Sequence, residues 1–472
     1  MSPKVKFASL IWWVCLLVAI TFMSLGWGSG TTKTKAPKEF NVWVVWDDTA
    51  WFSKIITWFK SKFSQYNGTQ IKFTKFTSYS DYEKILLNVM TEGNPPDIFV
   101  INNSSMTEEW DWLLESKIIW LPKNVVDVDK FQKDFNKVFD ELIIQSEEKN
   151  EDWKKIKVDY LKWVPMWFEA LGVFYNFRKV RNIPSTWAEL DKSIETDASE
   201  WYSTIWIWLW SKYIIWASDI LSLFFVQNWV TSYKKLSDDA SSNYLKAYRS
   251  YYKDQNNRFD AFRQDLDQLN QTNVDLFVRW KVGLLIGYPS LIKDILEWIK
   301  RTQWDADVWP KTLRTSPIFQ YVSDTTDKWD KKEDKQEKLN LINYNFFALS
   351  KYTTNKQLWM DFLSYLATKD AQEKYISSFP YYLPAMRLLE EWRVDQTLED
   401  WYDRAKYRDF ISNEVTLKTF EKWIKSEYDN YFWNALSNDA SSDSDIIKKW
   451  FQIIECNVNH LIKSTDFEKR CD

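Results

Sequence analysis

The sequence predicts an α/β protein built on a parallel sheet, and two observations support that prediction. Between residues 40 and 102, apolar runs of strand character alternate with amphipathic, helix-like runs in the order strand, helix, strand, helix, strand. The chain is also 472 residues long, which is enough for two domains with separate cores. In open parallel sheets a ligand crevice lies beyond the carboxyl ends of the strands.

The spacing of apolar residues defines this first unit. Strands are expected at 40–45, 70–76 and 98–102, with helices at about 49–66 and 80–91. Gly93 follows the second helix, where a left-handed residue commonly ends a helix. Asp97 lies in the turn before the third strand, and we expect it to organise that turn rather than to contact a ligand.

Polar side chains follow the first and third of these strands. Asp47 and Asp48 come after the first strand, and Asn102 and Asn103 end the third. Carboxylate and amide groups at the carboxyl ends of parallel strands can bind the hydroxyl groups of a ligand. Because Asp and Asn also favour turns, ordinary turn polarity is the alternative interpretation.

The segment 164–176 is expected to be a crossing point between two parts of the protein. A polar stretch, 146–159, precedes it and is expected to form a loop. Pro165 lacks a backbone donor and stiffens the start of the segment, while the apolar run 170–175 predicts one buried strand. Glu169 places one carboxylate just inside the crossing.

The remaining elements follow from the same periodicities. Strands are predicted at 204–209, 282–287 and 339–350, and helices at 217–228 (with Ser218 as its cap), 242–253 and 259–269, followed by a pair of helices at 354–376. The charged stretch 323–338 predicts a solvated loop. Several amphipathic helices are expected in the tail, 398–464.

The run Glu169-Ala170-Leu171 resembles the corresponding stretch of the extracellular solute-binding proteins of ABC importers, the sugar-binding family that includes maltose-binding protein. Residues 82–99, with Gly93 and Pro96-Asp97-Ile98-Phe99, are also similar to that family, as is Tyr382-Leu383-Pro384-Ala385. The resemblance covers about 41–387. It implies an α/β, two-lobed periplasmic-binding-protein fold with an inter-lobe hinge and a helical C-terminal region.

The resemblance also implies a function and a set of ligand-binding residues. The chain would be an extracytoplasmic receptor, not an enzyme and without a cofactor, that captures a sugar or oligosaccharide and delivers it to the membrane subunits of an ABC importer. In the family the acid equivalent to Glu169 touches the sugar, an aromatic residue near position 288 packs on it, and a tryptophan often lies mid-strand at position 43. The candidates are Trp43, Asp47, Asp48, Asn102, Asn103, Glu169, Tyr288 and Tyr344.

The expected domain division combines the two arguments. Residues 1–28 form a signal anchor or signal peptide, 29–39 a linker, and 40–472 the two-lobed domain. Lobe 1 is expected at about 40–110 and 290–350, and lobe 2 at about 165–288, with C-terminal helices in 354–472 packing across the lobes. The chain is expected to be a monomer.

The amino-terminal segment and the cysteines bear on location. The apolar run 8–25 follows Lys4 and Lys6 and has about the length of a membrane-spanning helix, so both a retained anchor and a cleaved signal remain open. Outside the cytoplasm Cys456 and Cys471 can form a disulfide, and two free thiols are the alternative. Either way the protein is expected on the extracytoplasmic face of the membrane.

Charge and motifs exclude several classes. Balanced charge, 62 basic and 66 acidic residues, argues against nucleic-acid binding. No phosphate-binding loop of the Gly-Lys-Ser/Thr type occurs, and the single histidine, His460, excludes a His-based metal site. Two cleft carboxylates such as Asp47 and Glu169 leave a glycosidase-like enzyme as an alternative. A peptide or polyamine ligand would suit the same acids.

The composition contains 31 tryptophans and only 8 glycines, whereas average usage gives glycine about 7 % of residues. Several tryptophans stand where glycine is expected, including Trp46, Trp167, Trp229 and Trp280. We interpret many of them as glycines of an organism that reads UGA as glycine, with Trp43 as a genuine tryptophan. A tryptophan-rich carbohydrate binder is the alternative.

Overall fold

The structure is a computed structural model, and it describes residues 39–45, 49–102, 116–135, 144–151, 154–199, 205–207, 216–232, 272–279, 281–302, 312–321, 338–378, 382–386, 415–418 and 445. Several predictions concern residues outside these ranges. They are the segment 1–38, the helices at 242–253 and 259–269, the charged loop apart from its last residue, and the residues Trp46, Asp47, Asp48, Asn103, Trp280, Cys456 and Cys471.

The described strands, in chain order, are β1 Glu39–Val45, β2 Gln70–Phe76, β3 Ile98–Asn102, β4 Leu121–Pro122, β5 Ile144–Glu151, β6 Lys154–Leu161, β7 Val164–Ala170, β8 Gly172–Asn176, β9 Ile205–Ile207, β10 Val282–Gly287, β11 Leu313–Pro317, β12 Lys338–Leu349, β13 Leu383–Pro384 and β14 Val415–Lys418. The helices are α1 Thr49–Lys62, α2 Tyr79–Thr91, α3 Val128–Asp134, α4 Trp187–Ser199, α5 Ala217–Val226, α6 Asn273–Val278, α7 Leu291–Thr302, α8 Lys356–Leu366 and α9 Lys369–Ser378, with a short 3-10 turn at Ser64–Tyr66.

The first sheet has seven described strands in the order β13-β7-β12-β3-β1-β2, with β14 also paired to β12. Strand β1 pairs in parallel with both β2 and β3, as the strand-helix-strand order predicts. Long β12 runs antiparallel between β3 and β7. Its residues after Lys338 are buried throughout, so this strand forms the centre of the sheet.

Asp97 organises the turn before β3, as expected. Its carboxylate accepts hydrogen bonds from the backbone N–H of Asn41 at 2.9 Å and from the hydroxyl of Thr353 at 2.6 Å. Its backbone also exchanges bonds with Asn41 and Ser350. One aspartate therefore ties together the starts of β1 and β3 and the end of β12.

A second sheet contains four strands in the order β11-β8-β10-β9, and a third contains β4-β6-β5. Strands β5 and β6 form a hairpin over 144–161, so the expectation of a loop at 146–159 is wrong. Opposite charges face each other across the hairpin, as at Glu148 and Lys157. Such cross-strand pairs stabilise a hairpin whose first strand, β5, has no apolar alternation.

The chain passes between the first and second sheets at two places. The apolar segment 164–176 is two strands, not one: β7 belongs to the first sheet and β8 to the second, with Leu171 between them. The second passage lies between β11 and β12. Gln227, just after α5, donates to the carbonyls of Phe319 and Leu339 on either side of that passage, at 2.6 and 3.3 Å.

The sheet membership differs from the expected lobe division at two places. β11 lies in 290–350, which was assigned to lobe 1, yet it pairs with β8 in the second sheet. β7, assigned to lobe 2, lies in the first sheet. The sheet to which a strand belongs depends on its pairing partners. The sequence does not reveal those partners, because an apolar run looks the same in either sheet.

The described part of the C-terminal region also differs from expectation. Helices α8 and α9 pack on the first sheet and α1 rather than across two lobes. Residues Val415–Lys418 form a strand beside the start of β12, where only helices were expected. In α5 the cap is Trp216, not Ser218, which lies within the first turn. Within the described ranges, no helix has the length and apolar character needed to span a bilayer.

Candidate functional site

Four polar side chains lie on one face of the first sheet, at the carboxyl end of β3. Asn345 of β12 pairs with Asn102 of β3, and Asn343 pairs with Glu169 of β7. Directly paired residues, and alternate residues of one strand, point to the same face. All four are 3–7 % exposed. We call this set, Asn102, Glu169, Asn343 and Asn345, the polar stripe.

The first pair of the stripe is two amides. Asn102 Nδ2 donates to Asn345 Oδ1 at 2.9 Å, and the backbone N–H of Asn102 donates to the Tyr79 hydroxyl at 3.1 Å. No group in the described ranges accepts a hydrogen bond from Asn345 Nδ2. This amide therefore keeps one free donor in a nearly buried position.

Glu169 connects the first sheet to the start of α7. Its Oε1 accepts a hydrogen bond from the backbone N–H of Ser290 at 2.9 Å. The pKa of Glu169 is raised to about 7, mainly by burial and to a smaller extent by the nearby carboxylates of Asp219 and Asp294, while the bonds from Ser290 oppose the shift. The acid is thus poised between its neutral and charged forms near neutral pH.

Asn343 joins the stripe to the second sheet and α5. Its Nδ2 donates to Asp219 Oδ2 at 3.2 Å and contacts the Tyr288 hydroxyl at 2.5 Å. Burial raises the pKa of Tyr288 well above its usual value, and the charges of Asp219 and Glu169 add to the effect. Tyr288 is therefore a neutral phenol inside a polar network at the boundary between the sheets.

The structure places some of the predicted ligand-binding residues in the polar stripe and others outside it. It brings Asn102 and Glu169 together in the polar stripe. Tyr288 touches the stripe through Asn343 but is fully buried, and its ring packs edge-on to Trp216 at 4.9 Å. Tyr344 is buried on the opposite face of β12, edge-on to Phe346.

Trp43, in the middle of β1, is half-buried and packs against Phe76 and Tyr82, with ring centroids 5.2 and 6.5 Å away. Its ligand role remains a prediction, as do those of Tyr288, Tyr344 and the candidates outside the described ranges.

Three site residues were missed from the sequence, namely Asp219, Asn343 and Asn345. The alternation Asn343-Tyr344-Asn345 was a usable signal, because period two in a strand places both amides on one face. Asp219 gave no distinctive signal, since an acid in the first turn of a helix is common, and its complete burial is visible only in the structure. No cluster of three or more groups able to hold a metal ion occurs in the described residues.

Comparisons with known proteins agree with this architecture. A family described as bacterial extracellular solute-binding protein matches residues 58–397, well over half of the chain. No curated protein sequence matches the chain.

Solved structures share the fold at low sequence identity. An ABC substrate-binding protein from Listeria monocytogenes in complex with cycloalternan is 14% identical, covering 90% of this chain and 98% of its own, with a TM-score of 0.60. A chitin oligosaccharide binding protein is 13% identical, with coverages of 89% and 99% and a TM-score of 0.63. A sugar transporter from Rhizobium etli is 15% identical, with coverages of 87% and 98% and a TM-score of 0.60. The predicted two-lobed α/β fold is confirmed.

Proposed function

This chain belongs to the bacterial extracellular solute-binding proteins, and from that premise we propose that it captures a sugar or oligosaccharide between two lobes for an ABC importer. Its family consists of binding proteins, so the chain is a receptor rather than an enzyme. The observation that carries the sugar proposal is the polar stripe. It collects one carboxylate and three amides at the carboxyl edge of the first sheet, beside the passage between the sheets.

The chemistry of the stripe suits hydroxyl groups. A sugar hydroxyl both donates and accepts, and therefore needs acceptors and donors close together. Glu169 supplies a carboxylate acceptor and Asn345 a free amide donor. A few convergent polar groups in a largely buried setting are typical of small-molecule sites.

The raised pKa of Glu169 favours a neutral ligand over a polyamine. A site for a polycation gains from fully ionised carboxylates. Here the acid has a pKa of about 7, so part of the population is neutral at neutral pH. Asp219, the neighbouring acid, already accepts a bond from Asn343. Because three of the four groups of the polar stripe are amides and the fourth is a partly neutral acid, we favour sugars over polyamines or basic peptides.

The test is a thermal-shift and calorimetry screen of the full-length protein. The panel contains maltotetraose, chitin oligosaccharides, xylan oligosaccharides and tagatose, with spermidine and a basic peptide as the cationic arm. A bound ligand at 100 times its Kd adds about 2.7 kcal/mol to the free energy of unfolding. We expect a saccharide to raise the melting temperature. A shift with a cationic ligand and none with any saccharide contradicts the proposal.

The membrane and domain assignments are parts of the same proposal. The family is extracellular, so the protein acts outside the cytoplasm. We propose that 1–28 anchors it or directs its export, that it is a monomer, and that the importer's membrane subunits are its partners. The lobes would be centred on the first and second sheets. Non-reducing mass mapping of Cys456 and Cys471 distinguishes a disulfide from two thiols.

We also propose that many of the tryptophans are encoded by UGA and are glycines in the native protein. The support is the composition, 31 tryptophans against 8 glycines. The gene's codons test this directly. Tryptophan positions encoded mostly by UGG contradict it.

A further inference from the structure

We infer that Asn345 is a specificity-determining residue, whose Nδ2 donates a hydrogen bond to a ligand hydroxyl. This inference rests on the proposed sugar-binding function and names a contact within it. The residue was not among those expected from the sequence or from the family resemblance.

The position of Asn345 supports this role. It lies beside Asn102, the last residue of β3, and is therefore level with the carboxyl edge where ligands bind in such sheets. β12 continues past that edge, carrying Asn343 next to Glu169. Asn345 is consequently central in the polar stripe.

The hydrogen bonding of Asn345 supports it further. The side chain is only 6 % exposed, and its Oδ1 is held by Asn102 Nδ2 at 2.9 Å. That bond fixes the orientation of the amide. Nδ2 then has no acceptor in the described part of the chain. Nδ2 is also not one of the fully buried unpaired atoms of the described residues, so this donor has a fixed direction and stays accessible to a ligand hydroxyl.

The neighbouring amide, Asn343, indicates a second group that the ligand should provide. Asn343 uses its Nδ2 on Asp219 and Tyr288, and no donor to its Oδ1 occurs among the described residues. Asn345 therefore offers a donor and Asn343 an acceptor, two residues apart on one strand face. Sugar hydroxyls both donate and accept, so two hydroxyls of one saccharide can bind this donor and this acceptor.

The decisive variant is Asn345→Asp. Aspartate keeps an oxygen that accepts from Asn102, replaces the free donor by an acceptor and adds a negative charge, so the hydroxyl that accepted from Asn345 loses its donor. We expect the Kd of the best saccharide from the panel to rise about tenfold, the effect of losing roughly one hydrogen bond. The matched control is Asn67→Asp, on an exposed turn at the amino end of β2, and it should leave the Kd unchanged.

A double-mutant cycle with singly deoxygenated analogues of that saccharide distinguishes a direct contact between Asn345 and the ligand from an indirect structural effect of the substitution. We expect one analogue to bind wild type about tenfold more weakly, with no further loss for that analogue in Asn345→Asp. Additive losses, or an unchanged Kd for the parent sugar, overturn the inference. If Asn345→Asp does not fold, Asn345→Ser enters the same cycle. Failure of every saccharide to bind wild type overturns the proposed function, and this inference with it.

A separate observation, the backbone conformation of two tryptophans, carries a second inference: Trp216 and Trp229 are glycines in the native protein. Their φ angles are +69° and +64°, and no other non-glycine residue in the described ranges has a positive φ. Side chains rarely adopt this conformation because Cβ approaches the following carbonyl oxygen.

The hydrogen bonds around Trp229 identify the position as one for glycine. Val230 N–H bonds to the Phe225 carbonyl and Trp229 N–H to the Val226 carbonyl, which is the Schellman pattern that ends a helix. The same pattern ends α2, where Asn94 N–H bonds to Val89 and the left-handed residue is Gly93, with φ +77°. Trp229 therefore occupies the place that glycine holds in the other helix.

The backbone, rather than the side chain, distinguishes these two positions. The buried indole N–H of Trp216 has no acceptor in the described residues, but neither do those of Trp120 and Trp359, whose φ angles are not positive. Trp187, in contrast, has an ordinary φ, is 3 % exposed and donates Nε1–H to Gln227 Oε1 at 2.9 Å. Trp187 is thus a matched position at which tryptophan fits.

Two measurements test this inference. Peptide mass spectrometry of the native protein should find glycine at 216 and 229 and tryptophan at 187. In protein made with tryptophan at all three positions, Trp229→Gly should raise the melting temperature, whereas Trp187→Gly should lower it. Tryptophan at 216 and 229 in native peptides, or destabilisation by Trp229→Gly, overturns it.

Discussion

Asn340 donates its Nδ2–H to the backbone carbonyl of Leu171 at 2.7 Å, and the Leu171 N–H donates to the Leu341 carbonyl at 3.2 Å. Leu171 is the residue at which the chain leaves the first sheet for the second, and Asn340 lies just after the chain returns. The two passages between the sheets are therefore tied to each other. We therefore expect a hinge at these passages to flex as one unit rather than as two independent linkers.

Replacing Asn340 by alanine should loosen this hinge. The Leu171 carbonyl loses its partner, which typically costs about 1–3 kcal/mol, although removal of the unpaired Asn340 Oδ1 offsets part of it. We expect urea unfolding to show a loss of about 1–2 kcal/mol. Asn67→Ala, on an exposed turn, is the control and should stay within about 0.5 kcal/mol. Equal stability of both variants would show that the Asn340 bond does not hold the hinge.

Ligand binding should close the two lobes about this hinge. Binding proteins with a site between lobes bury the ligand by hinge motion. Small-angle X-ray scattering of the wild-type protein should give a smaller radius of gyration at saturating saccharide. An unchanged radius, with binding verified by calorimetry, would contradict closure.

Asp97 should be a structural residue and not a binding residue. Alanine at this position leaves the Asn41 N–H and the Thr353 hydroxyl without their acceptor, and we expect a loss of about 2–4 kcal/mol. The Kd for the ligand should be unchanged in the folded variant. The control, Asp129→Ala, removes an exposed ion pair with Lys123 and should leave the stability almost unchanged. A large change in Kd for Asp97→Ala would instead place Asp97 in the binding site.

The sequence predicted most of what local periodicity controls. The parallel arrangement of β1, β2 and β3 followed from the alternation of strand-like and helix-like runs. The structural role of Asp97 followed from its place in a turn. The break at Leu171 was not predictable in this way, because β7 and β8 form one continuous apolar run and only their pairing partners differ. The β5–β6 hairpin was missed because β5 is polar and charged almost throughout, although Ile156, Val158 and Tyr160 alternate with polar residues in β6.

Residues of the candidate site were expected from the sequence where their position depends on their own strand. Residues whose position depends on pairing with another strand were not expected. Asn102 and Glu169 were expected near the ends of strands, and both lie in the polar stripe. Asn343 and Asn345 acquire their role from pairing with those two residues across β12, which lies more than 160 residues further along the chain. Cross-strand register of that kind is set by the tertiary fold.

The pH dependence of stability should carry a signature of Glu169. Its pKa is raised from 4.5 to about 7, so the folded state binds more protons than the unfolded state between these values. Its contribution is therefore fully present below about pH 4.5 and is lost as pH rises through about 7. The total loss is about 3 kcal/mol at most.

Urea unfolding of wild type and Glu169→Gln at several pH values between 4.5 and 8 measures the contribution of Glu169 to the free energy of unfolding. Glutamine does not titrate, so the difference in unfolding free energy between the two proteins should shift in favour of the variant as pH rises. Parallel curves would show that Glu169 titrates at its ordinary value.

Glu169→Gln also separates binding from catalysis, at a pH above 7 where the wild-type acid is mostly charged. A charge-assisted bond to a sugar hydroxyl is replaced by a neutral one, so affinity should fall by about 1.5–3 kcal/mol. A catalytic acid or base behaves differently, because its amide variant retains the ligand and loses turnover. We expect calorimetry to show weaker binding, and chromatography of the saccharide after prolonged incubation to show no cleavage by either protein. The protein must be produced with glycine at the positions inferred above, since an indole at a glycine position can distort the neighbouring fold. Hydrolysis that disappears in Glu169→Gln would mean that the cleft is an active site.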